Sequence, residues 1–326
     1  MTGCWVVSDG AAGNQRQARA LARALLPQVP AREIEVALRL PWRWLAPLGP
    51  ADFRAALAPA AAAGLAPPWP ALVVGCGRAA ALATAGIRRL SGGATRAVQI
   101  LDPRRGRDRY DALVLPAHDG VDGDNVVTTL GALNEIDDAW LAAGRAAFPD
   151  LGALPSPRTA VLVGGPTRAL RLDQAYLDGL FDRLADWRRR EGGSVLATCS
   201  RRTPAALAMH LRRRMDGVPG VSWTGPGDGD NPYAGLLGWA DRIVCTADSA
   251  NLLSEASATR APVAVHLPRP AAGRVGRLVD ALLARGRIEV LQSSCPRWSG
   301  EPLRELARIA PLLRTRLDLD TGAPPS

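Results

Sequence analysis

Lysine is absent from this sequence: all 40 basic residues are arginine, against 31 acidic ones, for a formal net charge of +9. Alongside the richness in Ala, Gly and Pro, that absence reads as nucleotide composition bias rather than selection for a polyanion. The arginines are scattered and form no basic run of the ~5–8 residues that marks a nucleic-acid patch, so no nucleic-acid partner is expected. Anionic small ligands such as nucleotide phosphates suit the charge better. No stretch of ~20 apolar residues is free of Pro or charge, which excludes a membrane-spanning helix. The Ala-rich segment from Ala55 to Ala66 comes nearest, and Pro59, Gly64 and Pro67 interrupt it. The N-terminus, MTGCWVVSDG, lacks a basic region followed by an apolar core, so no signal peptide is expected and the chain is assigned to the cytoplasm.

Cysteine is scarce too. The five cysteines are an odd number and form no CxxC pair, which argues against disulfides and zinc. Cys4, Cys76, Cys199 and Cys245 sit in or beside apolar runs, where a free cysteine acts as a small hydrophobe.

A length of 326 residues exceeds what one core comfortably fills, so two domains are expected. Short apolar runs alternate with helical patterns along the whole chain. In the first half the strands are Cys4–Ser8, Ile34–Leu38, Ala71–Val74, Ala97–Leu101 and Ala112–Leu115, with helices at Asn14–Leu26 and Ala79–Leu90. After the Pro-bearing ALPSP linker a second series begins at Arg158. Its strands are Ala160–Val163, Val195–Thr198, Val221–Trp223, Arg242–Thr246 and Val263–His266. Its helices are Leu172–Arg190, Pro204–Met215, Ser249–Ala258 and Arg274–Arg285, and a last helix covers Pro302–Leu317. Continuously apolar strands alternating with helices mean parallel sheets buried on both faces. The expected fold is α/β, two Rossmann-like domains facing a cleft: 1–150 on the acceptor side, 151–317 for nucleotide-sugar binding, and a disordered tail at 318–326. The last helix is a candidate to pack back on the first domain.

The strongest constellation is Ala240–Pro268. A strand ends at Thr246, a short loop follows, and a helix opens near Ser249 with Asp248 or Ser249 as N-cap. Free amides at that helix start form an anion site. Glu255 lies close to two turns along and shares a face with Ser249. A diphosphate on the amides and a ribose diol on the carboxylate would fit one nucleotide; the alternative is an ordinary capped helix. Gly164 and Gly165 with Thr167 follow the first strand of this half, and paired glycines there let backbone approach phosphate. The alternative is a tight turn. TCSRRTP, Thr198–Pro204, adds Ser200, Arg201 and Arg202 at the same carboxyl edge, where open α/β sheets bind ligands. Asn231 and Tyr233, in GDGDNPY, add a turn and an aromatic for a base or sugar.

These elements carry a resemblance. SDG-x-x-GN-x-x-QA (Ser8–Ala18), SRRTP (Ser200–Pro204), DNPY-x-x-L-x-x-AD (Asp230–Asp241) and DS-x-x-x-x-SEA (Asp248–Ala256) resemble those of the Elm-type mitochondrial fission family, over nearly the whole chain. The second half is also similar, more distantly, to the donor domain of the GT-B enzyme that adds N-acetylglucosamine in peptidoglycan synthesis. That resemblance implies Glu255 on the ribose and Gly164, Gly165 and Thr167 facing the diphosphate. GGPT stands where that enzyme has GGSxG. Plant members of the fission family are associated with recruiting a dynamin-like partner.

In the first half, Asp9 follows the first strand, Gly10 and Gly13 shape the loop, and Asn14 and Gln17 are placed to reach a cleft; the alternative makes Asn14 an N-cap. PAHDG sets His118 beside Asp119 after a later strand. An inverting transferase needs a base for the acceptor hydroxyl, and a histidine with pKa ~6.5 suits it, with Asp9 as competitor. His210 and His266 read as structural. GCGRAA, Gly75–Ala80, followed by Asp102 one strand later, is a rival dinucleotide fingerprint. It opens the third strand rather than the first, and its glycines read better as a turn with Arg78 facing the cleft. RLPWRWLAPLG puts Trp42 and Trp44 beside Arg39 and Arg43, a pattern for peripheral contact with an inner membrane as well as for core packing.

The sequence thus reads as a GT-B-like, metal-independent, inverting glycosyltransferase acting in envelope glycan or lipid synthesis. It takes a nucleotide-sugar as substrate, a lipid or glycan as acceptor, and no cofactor or metal. Metal independence follows from the lack of a DxD pair at a strand end, Asp228 and Asp230 being read as turn residues. The alternatives are an NDP-sugar epimerase, with the same scaffold and no acceptor, and a non-catalytic interaction protein that kept the fold.

Overall fold

The computed structural model describes residues 3–168, 170–297 and 300–320. The part of the expected tail at 321–326 lies outside the described residues. The elements run β1 (Cys4–Ser8), α1 (Ala12–Leu25), β2 (Ala31–Glu35), α2 (Trp42–Leu45), α3 (Pro59–Ala63), β3 (Leu72–Cys76), α4 (Arg78–Leu90), β4 (Arg96–Ile100), β5 (Ala112–Pro116) and β6 (Val126–Thr129). Then come α5 (Asp138–Ala147), β7 (Arg158–Val163), α6 (Gln174–Glu191), β8 (Ser194–Cys199), α7 (Ala205–Met215), β9 (Gly220–Trp223) and α8 (Tyr233–Trp239). The last are β10 (Arg242–Thr246), α9 (Ala250–Ser257), β11 (Val263–His266), α10 (Gly273–Ala284), β12 (Glu289–Val290) and α11 (Glu305–Arg316).

The strands form two six-stranded parallel sheets, ordered β2-β1-β3-β4-β5-β6 and β12-β11-β10-β7-β8-β9. Each reverses direction once, between β1 and β3 in one and between β7 and β10 in the other. Such a reversal opens a crevice beyond the carboxyl ends of two neighbouring strands.

The chain divides into two compact units, residues 1–134 with 305–326, and Glu135–Arg304. In the first, alternate strand residues serve opposite faces. Cys4, Val6, Leu72 and Val74 pack with Leu21 and Leu25 of α1 and with Ile309 and Leu313 of α11. Trp5, Val7 and Val73 pack instead with Leu82, Ala83 and Ile87 of α4. Both faces are covered, as a parallel sheet requires. Glu305 anchors α11, its carboxylate accepting the Leu130 amide at 2.7 Å. In the second unit α5 packs on α8, and Leu196 and Leu236 share a cluster with Leu151 and Phe148. Residues 135–150 therefore group with the second unit, and the sequence boundary at 150 falls after α5.

Candidate functional site

The second unit's crevice is built by the loops after β7, β8 and β10. All three meet at Asp248, whose side chain is 0 % exposed. Its Oδ2 accepts the Gly165 amide at 2.9 Å and an Arg202 guanidinium N–H at 2.8 Å. Its Oδ1 accepts the Thr246 hydroxyl at 2.5 Å, and that hydroxyl accepts the Gly164 amide at 2.9 Å. One carboxylate thus ties three strand ends together. The two glycines serve the same contact: a Cβ on Gly164 would lie 2.0 Å from Asp248, and one on Gly165 2.4 Å from the Arg202 carbonyl. Their lack of side chain is used by the protein's own packing, a different role from the phosphate approach read from sequence.

Around this knot the other expected residues take definite places. Ser200 turns the loop after β8, its Oγ accepting the Arg202 amide at 3.2 Å and contacting the Thr203 hydroxyl, which donates to the Gly164 carbonyl. Arg201 is exposed; Arg202, its neighbour, is the arginine that joins the knot. Thr167 shapes the turn after Gly165, its Oγ accepting the Leu170 amide at 3.1 Å. Ser249 caps α9, accepting the Leu252 amide at 3.4 Å, so Ser249 rather than Asp248 is the N-cap. Glu255 is buried on α9 and accepts the Tyr233 hydroxyl, while Asn231 accepts the Tyr233 amide at 3.1 Å to start α8. Glu255 and Tyr233, 22 residues apart, are brought together. Asp228 accepts the Thr224 amide and hydroxyl and pairs with Arg212. Those bonds, the Thr224 amide first, hold its carboxyl below the usual range despite some desolvation, and they commit it to its turn.

Two buried groups that sequence reasoning missed brace the elements around this site, one at each end of the second sheet's strands. The Tyr176 hydroxyl donates to the His266 carbonyl and accepts the Ala247 amide at 3.3 Å; burial pushes its pKa up. Arg287, 4 % exposed, closes the other end of α9, donating to the carbonyls of Ala256, Ser257, Thr259 and Ala261. A cation there complements the helix dipole, whose positive end is at Ala250. Desolvation lowers its pKa to about 10, still charged at neutral pH.

In the first unit, Asp9 follows β1 at the other reversal point. Its Oδ1 accepts the Ala11 amide at 3.2 Å and the Asn14 side-chain N–H at 3.0 Å. Asn14 lies inside α1, so it is not the N-cap; that place falls to Ala11, without a side-chain bond. Gly10 takes a left-handed φ of +78° in this loop, and Gly13 lies in the first turn of α1. Gln17 is buried and accepts the Leu133 amide at 3.3 Å, so its Oε1 is engaged by the segment after β6. Arg78 is likewise committed, donating to the Ala46 carbonyl at 2.8 Å and to the Trp44 carbonyl, instead of standing open. His118 and Asp119 are half-buried in a single turn after β5, closed by Gly120 at φ +64°. β5 stands three strands from β1, so His118 and Asp9 are separated by roughly 14 Å across the edge. They are alternatives, not a pair. Asp102 forms an ion pair with Arg107 at 2.9 Å and accepts the Arg104 amide, which leaves the rival dinucleotide fingerprint without its ribose acid.

The model of the family "Mitochondrial fission ELM1" matches residues 12–317. The chain belongs to this family. It is 31 % identical over 280 residues to mitochondrial fission protein ELM1 of Arabidopsis thaliana, covering 76 % of this chain and 64 % of that protein. The chain therefore spans less than two thirds of that relative's length. Among solved structures it is similar to UDP-GlcNAc 2-epimerase from Methanocaldococcus jannaschii, with a TM-score of 0.55 and 14 % identity over 97 % of this chain and all of that one. It is similar as well to the spinosyn forosaminyltransferase SpnP, with a TM-score of 0.50 and 15 % identity over 99 % and 96 % of the two chains. At these identities the likeness establishes the fold, which is of the GT-B type.

A cavity of about 300 Å³ in the second unit, lined in part by Asp138, Leu141, Arg145 and Arg260, lies elsewhere. It opens where β10 and β11 begin, the sheet edge opposite the Asp248 loops, and its polar groups are engaged. Arg145 donates to the Gly238 carbonyl, and Arg260 and Arg304 pair with Asp138, holding that carboxyl well below its usual range. Among the described residues no helix is long and apolar enough to cross a membrane.

Proposed function

We propose that this family member is a metal-independent glycosyltransferase holding a nucleotide-sugar donor at the β7/β10 crevice of its second unit. The observation that carries the reading is the convergence of three strand-end loops on Asp248 beside the amino end of α9. There the α9 amides take the diphosphate, with Arg202 and Arg201 as neighbouring cations. A carboxylate only accepts hydrogen bonds, so buried Asp248 holds the loops and repels phosphate; its role is positional. Glu255, oriented by the Tyr233 hydroxyl, takes the ribose hydroxyls, and Asn231, Ser200 and Thr167 line the edge.

The sugar's anomeric carbon is then attacked by the acceptor hydroxyl. Its bond to the diphosphate breaks, the nucleoside diphosphate leaves, and a base takes the acceptor proton. His118 is the proposed base and Asp9 its competitor. The proposed acceptor is a glycan or lipid of the cell envelope. Metal independence is supported by the commitment of Asp228 to Thr224 and Arg212.

Thermal unfolding with UDP, GDP, ADP, TDP and CMP tests the reading. A cognate diphosphate at a hundredfold excess over its dissociation constant stabilises the fold by about 2.7 kcal/mol. No shift with any of them at millimolar concentration sinks it in favour of a non-catalytic interaction protein. The second reading, an NDP-sugar epimerase, is favoured by the likeness to the M. jannaschii enzyme. It is distinguished by release of an altered nucleotide-sugar without an acceptor.

A further inference from the structure

One motif of the first unit remains outside that reading. In the segment 36–51, between Glu35 and Asp52, there is no acidic residue, and Arg39 and Arg43 are its two charges. The chain there folds into the single turn of α2, and Leu40, Trp44 and Leu45 stand exposed at 63 %, 71 % and 46 %. Among the described residues, half of the exposed large hydrophobic side chains lie within the six residues Leu40–Leu45. Of the two readings of this segment Trp42 takes the core one, turning inward against the cluster of Trp5, Val36 and Phe53. Trp42 anchors the turn, and Trp44 is presented by it.

The turn is held in shape by its own protein. Arg78 grips the Trp44 and Ala46 carbonyls, Arg39 donates to the Ala55 carbonyl, and the Arg43 amide donates to the Arg39 carbonyl at 3.0 Å. Such a preorganised turn loses little entropy when it docks. A tryptophan and two leucines flanked by exposed arginines match a surface that is apolar beneath and anionic on top.

We propose that the Leu40–Leu45 turn is a docking site for an anionic lipid bilayer, with Trp44, Leu40 and Leu45 entering the headgroup boundary and Arg39 and Arg43 meeting lipid phosphates. The site is independent of the nucleotide reading, and no residue proposed there for donor or base belongs to it.

Sedimentation of the full chain with phosphatidylglycerol/phosphatidylcholine vesicles tests the proposal. Binding is expected to anionic vesicles, to weaken with salt as exposed charges are screened, and to be weak with phosphatidylcholine alone. Arg43→Gln should lower partitioning about fivefold, one cation near the surface contributing about 1 kcal/mol. Trp44→Ser combined with Leu45→Ser should lower it tenfold or more, with an unchanged melting temperature because both side chains are already exposed. Absence of vesicle binding overturns the proposal, as does binding that the double variant leaves intact. A concentration-dependent dimer that the double variant abolishes, without vesicle binding, assigns the turn to a second copy of the chain instead.

Discussion

Replacing Asp248 by Ala removes the acceptor on which three loops converge, and the cost follows from what each partner loses. The Gly165 amide is buried and donates to Asp248, so its loss is about 1–3 kcal/mol. The Thr246 hydroxyl keeps a long contact with the Leu162 carbonyl at 3.5 Å, so its loss is nearer 1 kcal/mol. Arg202 is 48 % exposed and recovers water, so its share is below about 1 kcal/mol. The sum is about 2–5 kcal/mol, a large part of an ordinary fold's ~5–15 kcal/mol. Asp248→Asn keeps the shape. Its amide oxygen can face Gly165 and Arg202 while its NH2 meets a rotated Thr246 hydroxyl, and the lost charge costs about 1–2 kcal/mol. For a unit of about 170 residues these values shift its melting transition by roughly 4–20 °C and 2–8 °C. Calorimetry of both variants, read on the second unit's transition, checks the ranking. A loss below 1 kcal/mol in Asp248→Ala, or equal losses in the two variants, refutes the account of Asp248 as the tie between the loops.

Three further outcomes follow. Glu255→Gln keeps the shape but loses charge and one acceptor, so nucleotide-sugar affinity should fall by ~1.5–3 kcal/mol, roughly ten- to a hundredfold, by titration calorimetry; unchanged affinity would mean that Glu255 only braces Tyr233. His118→Ala should keep donor affinity and lose turnover by ~10²–10⁴-fold, and full turnover would pass the base role to Asp9. Burial holds the His266 imidazole down to about 4, below the ~6.5 of an unfolded histidine. Between those values the unfolded chain binds the proton and the folded one does not. Stability should therefore fall as pH drops from about 6.5 to 4, by at most ~3 kcal/mol from this residue, and be complete above that window. Urea unfolding at pH 5 and 7 measures the slope, which His266→Gln should flatten; an equal slope in the variant assigns it to other groups.

Interior strands were legible because a parallel sheet buries both faces and its strands read as unbroken apolar runs, as in Cys4–Ser8 and Arg242–Thr246. β6 was missed, a four-residue edge strand whose VVTT run sits among Asp, Gly and Asn. α8 was missed because Gly235 and Gly238 weaken a helix on propensity. Packing overrides that preference: a Cβ on Gly235 would lie 2.6 Å from Phe148, and one on Gly238 2.7 Å from the Leu141 carbonyl. At the candidate site, the residue types at the strand ends could be read from their spacing. Which side chains were already committed could not. Arg78 finds its carbonyls 32 and 34 residues away, Gln17 its amide 116 away and Asp248 its Gly165 amide 83 away. Local pattern carries no record of such partners.

The grouping of α11 with the first unit has a consequence for biosynthesis. Ile309 and Leu313 complete a core begun by Cys4 and Val6, yet a ribosome delivers them only after all of Glu135–Arg304. At ~5–20 residues per second that interval is roughly 8–35 s, during which the face of the first sheet that α1 shares with α11 is only partly covered. The second unit is contiguous in sequence and can close as soon as it emerges. The usual vectorial order is therefore inverted, the inserted unit maturing before the one that encloses it in sequence.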